Sequence, residues 1–234
     1  MAGSVKEPLN GMREQTAAVR PLLACGAIGP LLFIVVFLIE GVTRADYNPL
    51  RYPVSSLAIG ASGWTQAANF LITGALLLTF AFGLRHVLGG SRGGTWGPLL
   101  IGLTGAGLFG AGIFTTDPVF GYPRGAPLIL AQYSTHGHLH DFFSLLFFAG
   151  LPIACFVFCR RFATAGEPGW AIYSILTALG MLAAFILASM GFTQNPGFVN
   201  FAGLFQRLSI SIGLIWIALL ALRFMRMTFH KDML

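Results

Sequence analysis

Six apolar stretches of about 20 residues each run through this sequence of 234 residues. A helix of about 20 residues rises about 30 Å, which is the thickness of the hydrocarbon core of a bilayer. Charged residues make up only 9% of the chain, against about 25% in soluble domains, so the chain lacks the polar surface to face water on all sides. Strands of a membrane barrel would alternate in segments of about 10 residues, and these stretches do not. We therefore predict an all-α integral membrane bundle of six transmembrane helices, near residues 22–42, 65–84, 96–116, 138–159, 170–192 and 201–222.

The placement of Lys and Arg predicts the orientation of the helices, because cytoplasmic loops carry an excess of both. With the N-terminus inside, ten basic residues flank the helices on the inner side and three lie in the outer loops. We expect both termini in the cytoplasm, in the plasma or inner membrane, with 1–20 as a flexible tail, 21–226 as the transmembrane domain and 227–234 as a second tail. This topology accounts for the net charge of +6 without a nucleic-acid partner, and the partner that it implies is the lipid bilayer. The inner set is Lys6, Arg13, Arg20, Arg85, Arg92, Arg160, Arg161, Arg223, Arg226 and Lys231, and the outer set is Arg44, Arg51 and Arg124.

Seven ionisable residues lie within or at the ends of the apolar segments, and the predicted topology brings all of them toward the outer face. An ionisable group costs roughly 2.5–3.5 kcal/mol at the centre of a membrane helix and less near its ends, so a one-sided group of them indicates a site. The outer connections are also longer than the short, Gly-rich inner ones, which favours function at the outer face. The seven residues are Glu40, Asp117, His136, His138, His140, Asp141 and Arg207.

Asp117 is predicted to end helix 3, because Pro118 disfavours helical backbone at the residue before it. A carboxylate at a helix C-terminus faces the negative end of the helix dipole, so Asp117 needs a cation, a metal or several hydrogen-bond donors nearby. The alternative is that its side chain closes a turn on its own backbone amides.

Residues 134–141 hold the densest group of candidate metal ligands. His136 and His140 are four residues apart, so they project from one face of a helix at a spacing that can grip one metal ion. The positive N-terminus of helix 4 favours neutral imidazole rings, which bind metal or accept protons. His138 points nearly the opposite way, toward the flank that holds Asp141. The alternatives are a divalent metal such as zinc or an acid/base site, structural hydrogen bonds, and ligand contact without metal.

Arg207 lies about 10 Å inside helix 6, at 1.5 Å per residue, with Gln206 beside it. An arginine at that depth needs a counter-charge or a polar pocket. We predict that it pairs with a carboxylate, and the alternative is that it extends to the outer headgroups. The carboxylates at its level are Glu40, Asp117 and Asp141.

Serines and glycines at other positions are predicted to be structural. Ser134 or Thr135 can cap helix 4, and Ser55 and Ser56 can cap a turn before helix 2. No G-x-S-x-G element surrounds either of the latter two serines, so they lack the usual setting of a nucleophile. Helix 3 carries closely spaced small residues that let helices approach, which predicts a packing seam, with a conformational hinge as the alternative. The glycines of this run are Gly102, Gly105, Gly107, Gly110 and Gly112.

Three motifs occur together along the chain. They are YPVSSL at 52–57 after helix 1, GIFTTDP at 112–118 ending helix 3, and GHLHD at 137–141 opening helix 4. With these motifs, whose most specific parts are F-x-x-D-P and G-x-L-H, the chain resembles the bacterial and archaeal membrane family labelled domain of unknown function 998. The resemblance covers about residues 22–222, and it implies a six-helix integral membrane protein and no particular activity.

A more distant likeness concerns the set of Ser, Asp and His residues near one membrane face. This set is similar to that of the membrane metal-dependent hydrolases that include alkaline ceramidases and adiponectin-receptor-like proteins. The likeness implies zinc and hydrolysis of a lipid-like substrate. The chain departs from that pattern in having six helices rather than seven, and in having no paired histidines on its last helix.

These observations support three functional hypotheses. In the first, an outer pocket of Asp117, His136, His140 and Arg207 binds or moves a small molecule, an ion or a lipid headgroup without catalysis. In the second, Asp117, His136 and His140 bind a divalent metal that activates water, and Arg207 holds an anionic part of the substrate. In the third, the polar groups only hold the bundle together. Further candidate ligand contacts are Glu40, Asp141 and Gln206.

Overall fold

The computed structural model describes residues 6–91, 94–128 and 130–232. Within these ranges, six helices are long and apolar enough to cross a membrane, so the prediction of an all-α bundle of six transmembrane helices is confirmed. Short 3₁₀ turns at Val54–Ala58 and Val199–Phe201 lie in two of the connections. The helices are α1 (Lys6–Thr43), α2 (Trp64–Leu88), α3 (Trp96–Ile113), α4 (Thr135–Thr164), α5 (Pro168–Phe192) and α6 (Ala202–Asp232).

Several helix ends differ from the predicted ones. Helix α1 begins at Lys6 and α6 continues to Asp232, so residues 6–20 and 227–232 of the two predicted tails are helical. Helix α4 begins at Thr135 because the Ser134 hydroxyl accepts the backbone N–H of Gly137 at 3.0 Å, which is a helix cap. Residues 1–5 and 233–234 lie outside the described residues. The domain division at 20 and 226, and the cytoplasmic location of both termini, stay predictions.

The six helices form a closed ring. Each helix packs against its neighbours in sequence, and α6 completes the ring against α1. Successive helices therefore run antiparallel, and the connections 44–63, 114–134 and 193–201 lie together at one end of the bundle, here called the outer face. The interior is filled by large aromatic side chains that are almost wholly inaccessible, among them Phe33, Phe147, Phe158 and Trp216.

The outside of the ring is apolar along every helix. Ile28 on α1, Phe82 on α2 and Leu176 on α5 expose 57%, 60% and 60% of their surface. These apolar side chains are exposed rather than buried inside the protein, and contact with lipid tails explains their exposure. A bundle that spans a membrane satisfies its backbone internally and presents apolar side chains to the bilayer. The surface pattern thus agrees with a multi-pass membrane protein.

Glycines bring α3 into close contact with both of its neighbours. A Cβ atom on Gly74 of α2 would stand 2.8 Å from the carbonyl oxygen of Gly105, and one on Gly107 would stand 2.7 Å from the carbonyl oxygen of Phe143 in α4. Real Cβ atoms do not approach backbone oxygens so closely. The glycine run of helix 3 is therefore the predicted packing seam, and its counterpart in α2 is Gly74.

We predict that Gly74→Ala destabilises the bundle, because the added methyl group can be accommodated only if α2 and α3 move apart. Overpacking of this kind typically costs about 1–3 kcal/mol. Gly102→Ala is the matched control, since a Cβ there meets only the Cβ of Ala81 at 3.5 Å, an ordinary contact. Thermal unfolding of the purified proteins in one detergent should give a lower Tm for Gly74→Ala alone, and equal Tm values for both variants would contradict the seam.

Candidate functional site

Asp117 follows the end of α3, and its carboxylate lies at the start of α4 and away from the negative end of the α3 dipole. Its Oδ2 accepts the backbone N–H of Ser134 at 2.8 Å, next to the capping bond from Gly137 N–H to Ser134 Oγ. The carboxylate thus meets the positive end of α4, where a negative charge is stabilising. Of the partners predicted for Asp117, the structure supplies one backbone donor, the N–H of Ser134.

Gly137 makes room for that carboxylate. A Cβ atom at this position would overlap the Asp117 carboxylate, with only 2.6 Å to its Cγ. The two most specific elements of the sequence, F-x-x-D-P and G-x-L-H, are therefore two sides of one contact between the end of α3 and the start of α4.

His140 completes this contact from inside the ring. Its side chain is 3% exposed, and its Nδ1 lies 3.0 Å from the carbonyl oxygen of Ala111 and 2.8 Å from that of Phe114. Carbonyl oxygens only accept hydrogen bonds, so Nδ1 must carry the proton. His140 thereby satisfies carbonyls that the C-terminus of α3 leaves unpaired. When the ring is neutral, Nε2 is the nitrogen that can still accept a hydrogen bond.

The other two histidines of this segment are exposed. His136 packs its ring edge-on against Phe114 at 5.6 Å, and His138 lies 5.8 Å from the ring of Tyr133. Asp141 is exposed as well. His136 and His140 do share the helix face toward α3, as their spacing predicts, but only His140 is buried.

A metal site is not assembled from the predicted ligands. In the described part of the chain, no three His, Cys, Asp or Glu side chains are grouped so that they could hold a metal ion. Asp117 is engaged by the start of α4, and one nitrogen of His140 is engaged by the end of α3. A divalent metal on Asp117, His136 and His140 stays a prediction that this arrangement does not support.

Arg207 is buried, with 7% of its surface exposed, and is surrounded by backbone carbonyls. Its Nη1 donates to the carbonyl oxygens of Pro49 at 2.6 Å, Tyr52 at 2.9 Å and Gly203 at 3.1 Å. Its Nη2 donates to the hydroxyl of Tyr47. The guanidinium carbon also lies 5.4 Å from the centre of the Tyr47 ring, within the range of a cation–π interaction. Arg207 therefore attaches the first outer connection to α6.

The predicted pairing of Arg207 with a carboxylate is wrong. Among the described residues, no acidic side chain lies within ion-pair distance of it. Glu40 pairs with Arg44 at 2.9 Å, Asp117 binds the start of α4, and Asp141 is exposed. The physical reason is that the non-helical backbone of the connection presents several carbonyls, and the five N–H groups of a guanidinium can satisfy them together.

Tyrosines form the outer cover of Arg207. Burial raises the pKa of Tyr47 to about 12, although the nearby Arg207 charge acts to lower it, so the phenol is neutral at physiological pH. As a neutral hydroxyl it accepts from Arg207 and donates to the carbonyl oxygen of Pro53 at 2.8 Å. The rings of Tyr47, Tyr52 and Tyr122 lie 5.1–5.8 Å apart, which joins the first and second outer connections.

Gln206 supports the same connection one residue away. Its Oε1 accepts the backbone N–H of Val54 at 2.8 Å, and the backbone N–H of Leu204 donates to the carbonyl oxygen of Leu50 at 2.9 Å. Together with Arg207, these contacts fix the turn Val54–Ala58 over the open end of the ring.

Beneath this turn lies a cavity of about 30 Å³. Its polar lining consists of Ser55, His140, Ser144 and Gln206, and its apolar walls come from α1, α2, α3, α4 and α6. Glu40, Asp117, Asp141, His136 and Arg207 are not among the described residues that line it. Of the residues proposed from sequence, the cavity thus collects His140 and Gln206 and adds two serines. The apolar lining residues are Phe33, Val54, Phe70, Leu108, Phe147, Phe148 and Ile210.

The two serines were not singled out as site residues by the sequence. Ser55 lies in the YPVSSL motif, where a capping role was predicted. Ser144 belongs to no motif, but it follows His140 by four residues, so both face the same side of α4. That spacing is the one sequence signal that could have found it.

We predict that Gly137→Ala destabilises the protein by about 1–3 kcal/mol, because its Cβ would overlap the Asp117 carboxylate and displace it from the backbone N–H of Ser134. Gly169→Ala, in the first turn of α5, is the control, since a Cβ there meets nothing within 4 Å. Thermal unfolding should separate the two variants, and adding Asp117→Ala to Gly137→Ala should cost little more. Independent, additive losses from Asp117→Ala and Gly137→Ala would show that the two residues do not act through one contact.

Comparison with curated proteins and with solved structures finds no match to this chain. The model of the family described as "Protein of unknown function (DUF998)" matches residues 27–223. The matched range contains the α3–α4 contact, the outer connection held by Arg207 and the cavity lining. The resemblance inferred from the three motifs is confirmed, whereas the likeness to membrane hydrolases stays a prediction. The chain therefore belongs to the DUF998 family.

Proposed function

We propose that this multi-pass membrane protein binds a hydroxyl-bearing molecule at its outer face, by inserting one neutral hydroxyl group into the central cavity. The observation that carries the proposal is the state of the two larger polar side chains at the cavity. His140 and Gln206 each have one hydrogen-bonding end engaged by the backbone, which defines what the other end can do.

The two free ends are complementary. The carbonyls of Ala111 and Phe114 hold the proton of His140 on Nδ1, so Nε2 of the neutral ring is an acceptor. The N–H of Val54 engages Gln206 Oε1, so the amide NH₂ of Gln206 is left as a donor. A hydroxyl group is both a donor and an acceptor, and it can satisfy both partners at once.

The size of the cavity favours a single small group. The cavity measures about 30 Å³, which is enough to hold at least one water molecule. Pockets that enclose a whole drug-sized ligand measure roughly 300–1,000 Å³, so this cavity takes only a small part of a larger molecule. We infer that one hydroxyl and the carbon atoms beside it enter, and that the rest of the molecule lies outside the cavity.

The lining also favours a neutral group. Apart from His140, no titratable side chain is among the described residues that line the cavity. The rings of Phe33, Phe70, Phe147 and Phe148 provide apolar contacts for the carbon atoms next to the hydroxyl. Small alcohols and the free hydroxyls of lipid headgroups share this chemistry.

A matched pair of lipids tests the proposal. The probes are 1-oleoylglycerol and methyl oleate, which carry the same acyl chain with and without hydroxyl groups, and native mass spectrometry counts the adducts on the protein. Ser144→Leu fills the cavity, and Ser189→Leu, at a half-buried serine of α5 outside the lining, is the control. We expect a 1-oleoylglycerol adduct on the wild type and on the control, reduced at least about tenfold in Ser144→Leu, which corresponds to about 1.4 kcal/mol.

Three results would contradict the proposal: equal adducts from both lipids, undiminished binding by Ser144→Leu, or no 1-oleoylglycerol adduct on the wild type. Free glycerol added in excess separates the two sources of the hydroxyl, since it competes only if the cavity takes small alcohols. Metal analysis of the same tag-free preparations tests the alternative of a metal-dependent hydrolase, which requires near-stoichiometric zinc or another divalent ion that is lost in His140→Ala.

A further inference from the structure

A groove of about 430 Å³ lies between α5 and α6 at the end of the bundle opposite the outer face. It is distinct from the central cavity, with which it shares no lining residue. Its volume falls within the range of ligand sites, roughly 300–1,000 Å³. One end of the groove is basic and its wall along the helix is apolar.

The basic end is formed by Arg223 and Arg226 of α6. Arg223 is held in place, because it forms an ion pair with Glu167 and its guanidinium carbon lies 5.1 Å from the ring centre of Phe162 and 5.3 Å from that of Trp170. Its Nε is buried and has no hydrogen-bond partner in the described residues. Arg226 lies three residues further on, on the same side of α6, and is exposed.

The charge of this end is positive overall. Glu167 offsets one of the two guanidinium groups, and Arg226 adds a second positive charge at the mouth of the groove. An anion is therefore favoured there, beside the guanidinium groups of Arg223 and Arg226.

The apolar wall continues toward the middle of the membrane. Leu219 and Leu222 expose 41% and 40% of their surface on the side that faces lipid. Trp170 and Tyr173 line the opposite side of the groove and are half-buried. Such amphipathic rings are typical of the level of the headgroups. A basic end beside an apolar wall is complementary to a phospholipid, which has an anionic headgroup and apolar acyl chains. A free phosphate ion would make no contact with the apolar wall.

We propose that this groove binds one anionic phospholipid, with its phosphate at Arg223 and Arg226 and one acyl chain along Leu219 and Leu222. The positive-inside pattern of the sequence assigns this end of the bundle to the cytoplasmic leaflet, where anionic lipids and basic pockets between helices meet. The site stands independently of the hydroxyl-binding cavity, and either can fail alone.

The test measures which lipids stay bound to the full chain. Protein reconstituted in nanodiscs of phosphatidylglycerol and phosphatidylcholine in equal amounts is released and examined by native mass spectrometry. Arg226→Gln removes the exposed charge, and Arg160→Gln removes an exposed charge at the same end of the bundle, on α4, outside the groove. Both positions are at the surface, so thermal unfolding should show that both variants fold.

We expect phosphatidylglycerol to be retained by the wild type and by Arg160→Gln, and to fall about fivefold in Arg226→Gln, with phosphatidylcholine unchanged. Equal losses in the two variants would mean that only general surface charge matters and would overturn the site. Equal retention of the two lipids by the wild type would overturn it as well. Displacement of the lipid by excess inorganic phosphate alone would show an anion site without a role for the acyl chain, contrary to the proposal.

Discussion

Backbone carbonyl and N–H groups that no helix satisfies determine how the outer end of this bundle is held together. The chain leaves helical geometry there, and each unpaired backbone group near lipid costs several kcal/mol. Three side chains from the ring meet this demand. Arg207 donates to carbonyls of the first outer connection and of its own helix, Gln206 accepts the N–H of Val54, and His140 donates to the last carbonyls of α3. The polar residues that look like an active site in the sequence are, for the most part, what holds this end of the bundle together.

The same contacts determine the chemistry that remains available. Because His140 and Gln206 are each engaged at one end only, each presents a defined acceptor or donor at the other, and the two line one small cavity with Ser55 and Ser144. A side chain whose hydrogen-bonding groups were all satisfied by the protein would be purely structural, and a side chain with none satisfied would be mobile. In the proposed function, this half-engaged state preorganises the cavity for one neutral hydroxyl group.

The sequence predicted much of the fold but less of the site. Six helices followed from the length of the apolar stretches, and the family followed from motifs that the structure shows to be two sides of the Asp117–Gly137 contact. The predicted partner of Arg207 was wrong because carboxylates can be identified in a sequence, whereas backbone carbonyls occur at every residue. The sequence therefore does not indicate which carbonyls are left without a partner. Helix α3 ends at Ile113, before the predicted end at 116, because the backbone of Phe114 is extended. The apolar side chain of Phe114 gave no sign of this in the sequence. Ser144 lies in no motif, and only the ring of helices brings it beside Ser55 and Gln206.

The position of the proton on His140 decides both its contact with the end of α3 and its role in the cavity. Solid-state ¹⁵N NMR of histidine-labelled protein in lipid bilayers at neutral pH reports which ring nitrogens carry hydrogen, and the variant His140→Gln identifies the signal among the five histidines of the chain. We predict a neutral ring with hydrogen on Nδ1 and a bare Nε2 whose signal shifts when 1-oleoylglycerol is added. Hydrogen on Nε2 with a bare Nδ1 would contradict both the contact with the end of α3 and the acceptor on which the proposed site depends.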